Sequence, residues 1–263
     1  MKTAPSEDER IVRYTGRSKE TAVIEGKPTP LGFKIWVVAQ AGFFLRWLWH
    51  FKCSNYGAPT EGLRRKRGRP STQERKAASE EEAALTLLDN TQGTYHAFVD
   101  NLFSTAPLFK KLRNHGYGAT GTARPNCGIH KDLKRDKQLG KPGSYNYALN
   151  EASAIPAKDN LVNQIAWKDD ALMLFLTTVF RGNERTNEER KKPSTDHLRA
   201  RPIQAWFGDN LTKVVPIPTT ATACNAEMNH VDRGDQLRSY TTDDPPLPRG
   251  GGGLAGSHWD LSS

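Results

Sequence analysis

Apolar residues run almost unbroken from Gly32 to Ala39, the pattern of a central strand covered on both faces. After a turn at Ala41-Gly42, Phe43 to His50 predicts a second strand with Trp47 and Trp49 on one face and Leu48 on the other. The apolar neighbours of the two tryptophans make them core residues in this reading, not platforms for stacking bases. Tyr95 to Val99, β-branched or aromatic at most positions, predicts a third strand. A helix follows at once: Ser104 or Thr105 can cap it, Pro107 fits only a first turn, Leu108 and Leu112 give it an apolar face, and His115-Gly116 stops it. Upstream, Ser79-Glu80-Glu81-Glu82 before Ala83 to Leu88 is a capping box opening a short helix. Tyr117 to Arg124 reads as another strand, and Leu161 to Trp167 with Ala171 to Phe180 as a hairpin turning at Lys168-Asp169-Asp170. Gly182 to Pro202 is basic, lacks apolar periodicity and predicts a mobile loop; Pro245 to Gly253 cannot be helical.

On this frame three stretches carry candidate chemistry. Asp100 stands at the carboxyl end of an apolar strand, in the crevice where open α/β sheets place their chemistry; a solvated loop aspartate is the competing reading. Asp232 and Asp235, at i and i+3, share one helical face, either as a functional pair or as a surface ion-paired with Arg233 and Arg238. Leu63 to Ser71 is strongly basic, and its Arg67-Gly68-Arg69-Pro70 looks like an AT-hook core: glycine lets the backbone approach a minor-groove floor, proline keeps it extended, and arginines seek the potential of A-tracts. A nuclear import signal and a solvated basic loop remain open beside it.

Composition adds a bias. Thirty-eight Lys plus Arg against 29 Asp plus Glu leave a net charge of +9 over 263 residues, which favours a polyanionic partner. Cys53, Cys127 and Cys224 lie far apart with no C-x-x-C spacing, so they read as reduced thiols and write neither a zinc site nor a disulfide framework. The polar stretch Met1 to Arg10 is not a secretory signal, and Lys34, Gln40, Arg46 and His50 break the longest apolar run too often for a bilayer span.

Four blocks resemble the piggyBac transposases and their domesticated relatives, in particular a fungal-like branch: Gly32 to Ala39, Val99 to Thr105, Gly118 to Thr122, and Asn225 to Gln236. The resemblance implies an α/β fold, a ribonuclease H-like mixed sheet with flanking helices interrupted by a β-rich insertion, that cuts and joins DNA with two metal ions, Mg²⁺ or Mn²⁺, held by three aspartates. It divides the chain into an extended lead-in over 1–30, in which Asp8-Glu9 and Tyr14 to Arg17 match the family, a first core part over 31–125 with the basic loop 63–71, and an insertion over 126–219 with the basic loop 182–202. A final core helix over 220–242 and a disordered tail over 243–263 complete it; relative to the family the chain is expected to be truncated at its C-terminus. Asp100 and Asp232 match metal-holding aspartates and Asp235 the neighbouring acid. The first catalytic aspartate is implied just after Ala39, where Gln40 stands; an amide cannot supply the charge that offsets a hard dication. The strands ending near Gln40 and Asp100 should then be neighbours, with the Asp232 helix beside them.

Three function classes follow: a transposase-derived DNA-binding protein that no longer cuts, a metal-dependent transposase or nuclease with residual activity, and a relic without function. Double-stranded DNA is the expected partner and the nucleus the expected location; no membrane is expected, and a homodimer stays open.

Overall fold

A computed structural model describes residues 4–24, 30–50, 85–88, 94–138, 147–194 and 200–241. The capping box at Ser79, the basic stretch Leu63 to Ser71, Cys53 and the tail 243–263 lie outside them.

Eleven strands are described. Nine form one mixed sheet: β1 (Ser6–Arg13), β2 (Thr21–Val23), β3 (Leu31–Gln40), β4 (Phe43–Trp49), β5 (His96–Val99), β6 (Gly118–Thr122), β7 (Ala152–Pro156), β8 (Asn163–Lys168) and β9 (Leu172–Thr177). Their order is β2-β3-β1-β5-β6-β9-β8-β7, with β4 also paired to β3. β1–β5 and β5–β6 are parallel, and the other pairings are antiparallel. β10 (Arg185–Lys191) and β11 (Thr212–Pro218) make a separate antiparallel ladder. The described helices are α1 (Ala106–Asn114), α2 (Lys131–Gln138), α3 (Ala200–Phe207), α4 (Thr219–Glu227) and α5 (His230–Thr241).

The unbroken apolar run of β3 has the expected cause. Trp36 and Val38 belong to the core that contains Leu108, Phe109 and Leu112 of α1, while Ile35, Val37 and Ala39 meet Val231 of α5 on the other face. Phe98, Ile165, Trp167 and Phe175 continue that second face under β11 and α4. Two left-handed residues, Ala41 at φ 51° and Gly42 at φ 88°, join β3 to β4 in the tight turn that a twisted hairpin favours. Thr105, not Ser104, caps α1: its hydroxyl accepts from the Leu108 amide at 3.3 Å. Ser104 instead donates to the carbonyls of Val99 and Asp100.

Four expectations need correction. Residues 6–13 are not an extended lead-in: β1 lies inside the sheet between β3 and β5, its own face alternation hidden by the acids of Ser6 to Arg10. β7 to β9, placed in a β-rich insertion, continue the main sheet through the β6–β9 pairing. Arg185–Lys191, read as loop, is a strand whose residues alternate between exposed and half-buried, because β11 supplies the apolar surface that its own sequence lacks. Trp47 and Trp49 are not core residues but stand 50% and 38% exposed, because β4 pairs with β3 alone and its outer edge carries no further strand among the described residues.

The turn that holds Asp100 has a tight neighbour. A Cβ on Gly121 would run into the Ser104 hydroxyl and the Val99 carbonyl. Gly121→Ala is therefore expected to cost about 1–2 kcal/mol through overpacking, read as a lowered midpoint at unchanged slope in urea unfolding. An unchanged midpoint would show that the turn yields without cost.

Candidate active site

Asp100 sits where the sequence places it, at the carboxyl end of β5. Its carbonyl accepts from the Phe103 and Ser104 amides at 3.0 Å each, so the chain turns sharply after the strand and α1 starts one step later. The residue lines a cavity of about 580 Å³ with Glu9, Lys34, Leu102 and Arg124. Lys34 is ion-paired with Glu9 and stands over the Trp36 ring at 4.0 Å, while Arg124 Nε donates to Asn101 Oδ1 at 2.8 Å.

The strand beside Asp100 is β1, not β3. Parallel pairing sets Ser6 against Phe98 and Glu7 against Val99, and the Asp100 amide reaches the Glu7 carbonyl at 3.4 Å. The next residue in that register, Asp8, therefore lies alongside Asp100, one strand spacing or about 4.8 Å away in the backbone. Gln40 is remote: two strand spacings and three residues of rise put it roughly 14 Å from Asp100, because Asp8 faces Val37 across β1 and β3. The expected neighbouring of the Gln40 and Asp100 strand ends is thus wrong, and Gln40 does not stand in the place of an acid beside Asp100.

Asp8 shares its face of the sheet with Val37, and Arg10 shares it with Ile35. On that face α5 packs through the buried Val231, so the helix carrying Asp232 and Asp235 lies over β3, as expected, and over β1 in place of the Asp100 strand. Asp232 is exposed in the first turn of α5. Asp235, about one turn along, is held by Arg10 Nε at 2.5 Å. The ion-paired alternative considered for Asp235 is therefore seen, with Arg10 of β1 as a partner.

Carboxylate oxygens are the donor chemistry that hard dications take. Among the described residues, however, no three His, Cys, Asp or Glu side chains come close enough together to hold one ion. The sheet register sets the backbones of Asp8 and Asp100 side by side, and Asp232 stands on the helix packed over β1 and β3.

Sequence reasoning missed Asp8. The signal for it was the match of Asp8-Glu9 to the family, which the resemblance placed in the lead-in. It also missed Glu7, which is fully buried beside Asp8. Of the cysteines, Cys127 and Cys224 are free and buried, and burial pushes the Cys224 thiol up to about 12.

Residues 6–244 match the sequence model of the family described as Transposase IS4. The chain belongs to that family, and within it to the piggyBac transposases. It is 27% identical to human PiggyBac transposable element-derived protein 3 over 184 residues, covering 66% of this chain and 27% of that protein. Human PiggyBac transposable element-derived protein 2 is 29% identical over 162 residues, covering 59% and 26%. The chain thus spans about a quarter of the length of the curated relatives it matches. The structure of a piggyBac transposase synaptic complex with hairpin DNA superposes with a TM-score of 0.57 over 90% of this chain and 40% of that one, at 17% identity, which is a likeness of fold.

Proposed function

We propose that the chain is a transposase-derived domain that binds double-stranded DNA and acts on its strands through Asp8, Asp100 and Asp232, in a ribonuclease H-like arrangement, with Mg²⁺ or Mn²⁺ as cofactor. The observation that carries this reading is the β1–β5 register, which sets Asp8 beside Asp100 and removes Gln40 as the reason to expect an inert site. Asp8 and Asp100 supply the fixed negative charge, and Asp232 stands on the helix that packs over β1 and β3. A DNA-binding domain that does not cut is the second reading. It is favoured by the Arg10–Asp235 ion pair, which ties up one acid of the helix with a cation from the same strand as Asp8.

Both readings require duplex binding, and the chain's net charge of +9 supports it. In the proposed complex Arg67-Gly68-Arg69-Pro70 enters the minor groove, and the basic stretch around it directs the protein to the nucleus. In gel shifts, affinity for duplex is expected to fall at least tenfold between 50 and 200 mM salt, as counterion release requires of a protein with several phosphate contacts. Replacing Arg67 and Arg69 by Ala should weaken AT-rich duplex more than GC-rich duplex. Equal losses would assign these arginines to phosphate alone, and no duplex binding at 50 mM salt would end the proposal.

A further inference from the structure

Trp47 and Trp49 stand on the face of β4 that pairs in register with Val37 and Ile35, the face α5 covers in part. Together with Arg10, Val12, Ile35 and Arg238 they line a groove of about 450 Å³ between the sheet edge and the helix. The two indoles meet edge-to-face, centroids 5.2 Å apart and planes at 89°, and Phe33 meets Trp49 at 5.6 Å and 84°, so no two of these rings stack in parallel. Half of Trp47 and more than a third of Trp49 remain open to solvent.

The opposite wall is cationic. Arg238 lies 3.5 Å above the Phe44 ring and Arg10 5.1 Å from the same ring. Asp235 is ion-paired with Arg10, and the charged residues among those lining the groove are the two arginines. Burial and then the nearness of Arg10 lower the Arg238 pKa, with Asp235 opposing. The groove also joins the acid site, since Arg10 follows Asp8 by two residues on the same face of β1, roughly 6.6 Å of strand rise.

Exposed indoles beside two guanidinium groups match the chemistry of an unpaired nucleotide strand. In a duplex both faces of each base are already stacked, so an aromatic ring gains a base face only where pairing has been lost. A groove of this size suits single nucleotides and not the width of a duplex. We propose that it holds an unpaired DNA strand next to Asp8 and Asp100, one base stacked on Trp47 or Trp49 and its phosphate facing Arg10 and Arg238. This rests on the DNA reading above and gives it a place for a strand end that has left the helix.

The test uses the full chain and three fluorescently labelled oligonucleotides: a single-stranded 15-mer of dT, a blunt duplex, and the same duplex with a six-nucleotide 3′ overhang. Anisotropy titrations are run on wild type, on Trp47→Ala/Trp49→Ala and on Trp47→Phe/Trp49→Phe, with thermal melts to confirm folding. Loss of stacking is expected to weaken the 15-mer and the overhang about tenfold or more in the alanine variant, with a change under about twofold for blunt duplex and recovery by phenylalanine. If the alanine variant does not fold, Arg238→Gln on the same wall must show the same preference for loss on unpaired strand. Equal losses on all three DNAs, or none, would overturn the groove while leaving duplex binding intact. Wild-type binding to no DNA at all would instead overturn the DNA reading itself. A wild-type dimer in sedimentation that the alanine variant converts to monomer would assign the face to a second copy of the chain and also overturn the groove.

Discussion

Asp8→Asn is expected to abolish the response of the protein to divalent ions, whereas Gln40→Asp leaves it unchanged. Asp8 stands one strand from Asp100 in the parallel register, and Gln40 stands two strands and three residues away. A new carboxylate at Gln40 is too distant to share an ion with Asp100, while removing Asp8 halves the charge of the only pair that the sheet itself sets among the described residues. For an ion present at about ten times its dissociation constant, binding to the native state alone adds about 1.4 kcal/mol. In a chain of this size that corresponds to roughly 3–6 °C in melting temperature. Wild type and Gln40→Asp should show this shift with Mn²⁺, and Asp8→Asn and Asp100→Asn should lose it. Nicking of supercoiled plasmid in Mn²⁺ is the parallel readout, expected to drop at least a hundredfold in Asp8→Asn. A shift that survives Asp8→Asn but grows in Gln40→Asp would return Gln40 to the site.

A second large effect is expected one residue earlier. Glu7→Leu should stabilise the protein by about 2–4 kcal/mol at neutral pH, since an unpartnered buried carboxyl costs a few kcal/mol and a leucine adds apolar burial. Glu7 is 1% exposed, and neither carboxylate oxygen finds a hydrogen-bond partner among the described residues. Its backbone position, opposite Val38 and Val99, turns the side chain toward the apolar core of α1. Burial, with the adjacent Asp8 charge adding to it, raises the Glu7 pKa well above the usual carboxylate value. The folded state therefore keeps a proton that the unfolded state releases near pH 4.3. As pH rises above that value the unfolded chain gains from ionising and the folded chain does not, so wild-type stability falls until the raised folded pKa is reached. The gap between Glu7→Leu and wild type should then be smallest near pH 4 and widen toward neutrality in urea titrations. A gap independent of pH would mean that Glu7 is ionised and partnered in solution.

Local patterning was legible wherever one residue type had one physical use. The apolar run Gly32 to Ala39 could only be a strand covered on both faces, and the strand, Asp100, cap and Pro107 sequence could only be a strand turning into a helix; both hold in the fold. The i, i+3 spacing of Asp232 and Asp235 likewise put them on one helix, and four blocks were enough to name the family. What the pattern could not decide was adjacency. β1 is rich in acids and looks like a linker, yet it is the strand between β3 and β5, because pairing depends on backbone hydrogen bonds and not on side-chain polarity. That one placement sets position 8, and not position 40, beside Asp100 in the sheet. The same limit explains the tryptophans: a period-two strand states which residues share a face, but only the tertiary structure decides whether another layer covers that face. Over Trp47 and Trp49 the helix α5 covers it only in part, and the indoles that apolar patterning assigned to the core are left at the edge of the site.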